Sequence, residues 1–268
     1  MDRVVETLST ARWGVYLALM APYSVFYCAV DAFVLQQAVS WFLVRVPYRD
    51  VLPVRATAYI LSLVNTQLGQ GGIAVYLHRR HQIPFWRVTG TVLFLVVIEV
   101  YHLALWSSVG AAMRGVPAGL WGVYGGMVVL LVLVLWWFSA PRAGRLWQLP
   151  VLDAFRRARP GQYARLIAYK APNLLAAIVV HWLALPLFGI HIPFLSLLAF
   201  LPLVFFAASL PIAAAHLGPS QLAWTQFFGG YAPGEQLLAY SLAAHLVFMV
   251  MNAAIGVLFL RRAARELA

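Results

Sequence analysis

Residues 54–77 read VRATAYILSLVNTQLGQGGIAVYL, and the reading of this stretch decides the fold. About 20 mostly apolar residues suffice to cross the ~30 Å hydrocarbon core of a bilayer. The stretch is long enough, yet Gly69, Gly71 and Gly72 interrupt it. Each interior glycine costs a helix about 1 kcal/mol relative to alanine. Three within four residues predict a broken helix, that is, a hairpin entering and leaving by one face. A second stretch, Pro193 to Phe228, is interrupted in the same way at Pro211, Gly218 and Pro219. Irregular backbone at membrane depth persists only when buried in protein or lining a wet cavity. Both breaks are therefore candidate sites.

Around these lie five uninterrupted apolar runs: Trp13 to Val44, Val88 to Met113, Gly119 to Ala140, Leu166 to Phe188 and Gln236 to Leu260. Arg, Trp or Tyr edge each one, as at membrane interfaces. Pro22 predicts a kink that lays the start of the first run along the interface. The two interrupted stretches match at a fixed offset: Leu68 and Gly69 fall on Leu217 and Gly218, and Pro84 falls on Pro233. A unit of span, broken hairpin and span thus occupies 13–113 and recurs at 166–260, and the linking span 119–140 reverses the second copy. That is an inverted repeat, an architecture common among transporters. The predicted fold is all-α: a polytopic membrane protein with about five full spans and two re-entrant hairpins, one transmembrane domain over 1–268.

Composition agrees. Hydrophobic residues make up 63% of the 268 and charged residues 10%, against roughly 25% charged in soluble domains, which excludes an ordinary water-soluble enzyme. Nineteen basic residues face eight acidic ones, for a net charge of +11, and Lys170 is the one lysine. In the predicted topology all of them except Arg3, Arg12 and Arg114 fall on one face. The positive-inside rule makes that face cytoplasmic. The C-terminus and the interfacial segment 142–165 are expected there, with the N-terminus outside and the chain in the cell (inner) membrane. The expected partners are anionic lipid headgroups rather than nucleic acid. In the interfacial segment Leu146, Trp147, Leu149, Leu152 and Phe155 alternate with Arg142, Arg145, Arg156, Arg157 and Arg159, predicting a surface-lying stretch interrupted by Pro150 and Pro160. Cys28 alone can form neither an internal disulfide nor a cysteine metal site. The first apolar run is too long for a signal peptide, so a mature N-terminus is expected.

The stretch Leu61 to Gly90 (LSLVNTQLGQGGIAVYLHRRHQIPFWRVTG) and the stretch Ser209 to Gly256 resemble the flippase-like transmembrane region of lysylphosphatidylglycerol synthases and its stand-alone relatives. The resemblance covers roughly Phe42 to Leu260. In the second half Pro211, His216 and Gly218 precede Gln221, where the family places a glutamate. His245 precedes Asn252, where the family often has an arginine before the asparagine. In the first half Ile73 follows Gly72 in place of a glutamate, and Tyr76 stands where an arginine is expected. Glu99 matches the family's acidic residue in the next span, and Val100 replaces its neighbouring arginine. The resemblance implies movement of a lipid or a polyprenyl-phosphate-linked precursor between leaflets. The substituted charges imply a different or less charged lipid. With no aminoacyltransferase module in the chain, synthase activity is not implied.

An ionisable group at membrane depth costs about 2.5–3.5 kcal/mol on insertion scales, so each needs a partner or a purpose. Glu99 and His102 share a helix face and are expected to bond each other. Asp31 is expected to pair with an arginine from another helix. Ser241, His245 and Asn252 fall on one stripe that glues helices or walls a cavity. Lys170, Asn173 and His181 form a similar face, with Lys170 expected to snorkel outward. Asn65, Gln67 and Gln70 at the first break, and His216 and Gln221 at the second, set polar groups beside helix ends suited to a phosphate. The predicted substrate site therefore comprises Asn65, Gln67, Gln70, Glu99, His102, His216, Gln221, His245 and Asn252, between two hairpin tips meeting near the midplane. No cofactor is expected. His78 and His81 are the one dense histidine group, and no His-Glu-x-x-His spacing occurs. An intramembrane enzyme acting on a lipid headgroup is therefore the weaker alternative. A scaffold for an envelope glycosyltransferase is the stronger one, and a homo-oligomer or envelope-enzyme partner fits either.

Overall fold

The computed structural model describes residues 2–116, 118–140, 144–145, 147–209 and 218–265. Described residues in regular structure are all helical. The helices are α1 (Asp2–Thr10), α2 (Trp13–Phe42), α3 (Tyr48–Ser62), α4 (Thr66–His81), α5 (Phe85–Arg114), α6 (Ala118–Ser139), α7 (Asp153–Arg157), α8 (Pro160–Ala184), α9 (Phe194–Ser209), α10 (Pro219–Phe228) and α11 (Gly234–Arg265), with 3-10 turns at Pro150–Leu152 and Leu185–Phe188. Five of them, α2, α5, α6, α8 and α11, are long and apolar enough to cross a membrane, and each covers most of one of the five apolar runs of the sequence.

Prolines set several helix starts, because the missing N–H costs nothing in a first turn. Pro160 opens α8, and Pro150 opens a 3-10 turn. Before α5, the amides of Arg87 and Val88 donate to Pro84 O at 2.9 and 3.3 Å. At the offset noted above, the amides of Gln236 and Leu237 donate to Pro233 O at 3.0 and 3.1 Å.

Two expectations need correction. Helix α4 runs unbroken through Gly69, Gly71 and Gly72, and the chain turns earlier, at Leu63–Asn65. Two of the glycines serve packing instead: a Cβ on Gly69 would strike the Ser62 side chain and the Ala58 carbonyl, and one on Gly72 would strike Leu61, whereas Gly71 faces open space. Gly69 and Gly72 thus allow the close approach of α4 to α3. Asn65 makes the turn, its side chain accepting from the Gln67 amide at 2.7 Å as an N-cap. The second break behaves as expected on its described side, where Gly218 precedes α10 with φ of 106°. Pro211 and His216 lie outside the described residues. The second correction concerns Pro22, which sits within a continuous α2. A separate helix, α1, precedes that span and packs on α11 and on the Leu185–Phe188 turn.

Contacts at the helix ends fix the direction of each long helix. At one end the Arg12 amide meets Leu187 O, Gln236 Nε2 donates to Phe188 O at 2.8 Å, and Arg114 bonds Ser196 and Tyr231. At the other, Arg157 donates to Phe42 O, Arg87 binds Asp153, and Arg262 approaches Asp50 at 3.5 Å. Helix α8 therefore runs opposite to α2, and α11 opposite to α5. Helices α3 and α4, 15 and 16 residues long, are only about 22–24 Å each, and together they start and finish at the Asp153 end. Helices α9 and α10 start and finish at the Arg114 end.

Packing repeats the same exchange. The most extensive contact of α3 is with α11, and that of α9 is with α5. Glycine makes both approaches close: Gly256 of α11 lies against the Ala56 carbonyl and Ile60, and Gly110 of α5 lies against the backbone of Leu198 and Ala199. Helix α6 stands apart, with Tyr124 as its one buried residue.

Candidate functional site

Four charged side chains converge between α2, α3, α5 and α8. Asp31 of α2 accepts from Arg55 Nε at 2.5 Å and from the Tyr59 hydroxyl at 2.8 Å, both on α3. Glu99 of α5 pairs with Lys170 of α8. The Asp31 carboxylate lies within electrostatic reach of Lys170 as well as Arg55, which places the two pairs side by side. Lys170 is ten residues into α8 and Glu99 fourteen into α5, roughly 15 and 21 Å from the Asp153 end at 1.5 Å per residue.

Local sequence explains the placement. Arg55 and Tyr59 are four apart and share a helix face, so the guanidinium lies over the Tyr59 ring at 4.8 Å while both reach Asp31. Tyr27, one turn before Asp31, packs against Tyr59 and against Phe248 of α11. Helix α8 ties the assembly together through its polar face. Lys170 reaches α5, Asn173 Nδ2 donates to Tyr27 O at 3.2 Å, and His181 Nδ1 meets the Tyr240 hydroxyl of α11 at 2.7 Å. The side chains of Asp31, Arg55 and Lys170 are 12, 18 and 15% exposed, whereas Glu99 is 36% exposed, so the network runs from a buried end to an accessible one.

The expected pairing of Asp31 with an arginine from another helix is present. The expected Glu99–His102 bond is not: both His102 nitrogens, in a side chain 2% exposed, lack a partner among the described residues. Lys170 takes the carboxylate because a full opposite charge makes a stronger bond than a neutral imidazole. For the same reason Lys170 turns inward and does not snorkel, and Arg55 belongs to the interior, not to the basic face. On α11 two members of the predicted stripe bond within their own helix. Ser241 and Asn252 bond back to Leu238 O and Phe248 O of their own helix, at 2.9 and 2.8 Å. Half-buried His245 lies one turn past Ser241.

At the hairpins the polar groups act locally. Asn65 caps α4, Gln67 is exposed and Gln70 half-buried. Gln221 Oε1 accepts from the Gly218 amide at 2.7 Å and from Ser220 Oγ at 3.0 Å, and its buried Nε2 has no partner among the described residues. His216 is outside the described residues. Arg55, Tyr59 and Lys170 were not among the residues expected to bind substrate. Their signal was present in the sequence, as an arginine within an apolar stretch and a lone lysine one turn inside a span.

The interfacial segment forms a second polar centre. Asp153 accepts from Arg87 at 2.8 and 3.0 Å and lies near Arg156 and Arg157. Partial burial would raise the Asp153 carboxyl, but the Arg87 hydrogen bonds, with Arg156 and Arg157, hold it below the usual carboxylate range. Arg156 also bonds the Trp147 carbonyl, and Phe138 of α6 stacks on Trp147 and Phe155. Among the described residues no group of His, Cys, Asp and Glu is placed to hold a metal ion. Compared with known proteins, the chain matches no family model and no curated protein.

Proposed function

We propose that this chain is a flippase-like membrane carrier that passes the headgroup of a lipid or lipid-linked precursor across the bilayer while the tails stay in hydrocarbon. The carrying observation is the four-charge network of Asp31, Arg55, Glu99 and Lys170 midway along α2, α3, α5 and α8. Removing a charge from water costs several kcal/mol even after relaxation, and well-packed apolar residues serve stability as well or better. A network of this kind at membrane depth is a functional-site hypothesis by default.

The mechanism is exchange of counter-ions. In the empty protein the carboxylates hold Arg55 and Lys170. An anionic headgroup arriving at half-exposed Glu99 competes for Lys170, and His102 and Asn173 Oδ1, without partners among the described residues, lie on the same two helices to bond it. Alternating access would come from the antiparallel pairs, α2 with α8 and α5 with α11, read as an inverted repeat whose hairpins are re-entrant from opposite faces. The headgroup site lies at the ionic network and not at the hairpin tips. By the positive-inside rule, the Asp153 end is assigned to the cytoplasm of the cell (inner) membrane.

Reconstitution into liposomes with a fluorescent phospholipid, followed by chemical quenching of the outer leaflet, tests the proposal. The intact protein is expected to equilibrate the label between leaflets. Lys170→Met and Glu99→Gln should each slow that by at least about tenfold, a loss of one charge-assisted contact, at equal incorporation. Label that stays in its original leaflet with the intact protein would favour the scaffold for an envelope enzyme.

A further inference from the structure

Two open pockets lie along one face of α2 and together form a candidate groove. The inner part, of about 320 Å³, is lined by Phe26, Ala29, Val30 and Phe33 with Tyr48 from α3. The outer part, of about 790 Å³, is lined by Gln36, Ser40, Trp41 and Arg45, with Gln162 from α8. Positions 26, 29, 30, 33, 36 and 40 recur at three and four and so stack along a single stripe of the helix. The connector from α2 to α3 joins the two parts: Pro47 lines the outer cavity and Tyr48 the inner, its hydroxyl donating to Ala29 O at 3.0 Å.

Chemistry changes along the groove. The inner part offers hydrocarbon and aromatic rings, the outer part amides, a hydroxyl and a guanidinium. Gln36 is held in place, its Nε2 donating to Ser40 Oγ at 3.1 Å and Val46 O at 2.9 Å. Arg45 is exposed and has no carboxylate partner among the described residues. The 14 steps from Phe26 to Ser40 rise about 21 Å, from the interface well into a ~30 Å hydrocarbon core.

We propose that this groove seats one anionic phospholipid of the surrounding bilayer, its phosphate at Arg45 and one acyl chain along Phe26 to Phe33. An unneutralised guanidinium calls for an anion, and a polar-to-apolar gradient of this length calls for an amphiphile. A free phosphate would leave the inner cavity unfilled. The site rests on α2 crossing the membrane and not on transport.

Native mass spectrometry of the detergent-purified, delipidated chain tests this with dioleoyl phosphatidylglycerol and dioleoyl phosphatidylcholine. Phosphatidylglycerol should be retained in preference. Arg45→Gln should lower its retention about tenfold, the worth of one charge-assisted hydrogen bond. Arg49→Gln, which removes a similar charge outside the groove, should leave retention unchanged. Ala29→Phe, which fills the inner cavity, should weaken the dioleoyl lipid and spare its dihexanoyl counterpart. Equal effects of Arg45→Gln and Arg49→Gln, indifference to headgroup, or full competition by glycerol phosphate would overturn the site. Because the readout is binding, a chain that moves no lipid can still pass this test, and a failed site leaves the carrier proposal standing.

Discussion

Asp31 and Arg55 hold each other in the interior, and neither can be removed alone without stranding the other. Breaking such a pair costs about 3–5 kcal/mol, because an uncompensated charge remains buried. Asp31→Asn is expected to lower thermal stability in detergent by that order. The double variant Asp31→Leu, Arg55→Met should recover much of it while abolishing lipid movement, and that contrast separates structural from functional worth. Asp31 was readable as a carboxylate in need of a partner because an acid inside an apolar run has few explanations. Which arginine answered it was not readable. Arg55 looks like a member of the basic face until α3 is seen to lie against α2. The Glu99–His102 expectation failed for a related reason. Spacing along one helix is visible in a sequence, whereas Lys170, 71 residues away from Glu99, comes near only through packing.

At the scale of elements, glycine has two different jobs in this chain, and sequence alone does not separate them. Gly69 and Gly72 read as a break but permit close packing, and the break itself falls at Leu63–Asn65. Gly110 and Gly256 drew no notice in the sequence, yet each lets a long helix touch the backbone of a short one from the other half of the chain. Gly110→Leu and Gly256→Leu are each expected to cost about 1–3 kcal/mol through overpacking, measured as lost thermal stability. Gly122→Ala on α6, with open space around it, should be neutral or slightly stabilising, since alanine is the better helix former. The five spans themselves were legible, because sustained apolar length survives every detail of packing.

At the scale of the whole molecule, orientation follows from where the chain crosses from one end to the other. In a Cys28→Ala background, an impermeant maleimide added to intact cells is expected to label Ser9→Cys and Gly230→Cys. It should reach Arg79→Cys and Gly161→Cys only after the membrane is opened. The opposite pattern would reverse the assigned sidedness without disturbing the fold. A few matched glycines, leucines and prolines are all that the sequence offers toward a repeat, and no residue pattern announces that α3 seeks α11 and α5 seeks α9. Each half finds its closest neighbour across the chain, and barely engaged α6 is the tether between them. Neither half is therefore expected to keep its packing when made without the other, and co-expressing residues 1–140 with 141–268 should restore both seams where either piece alone is degraded.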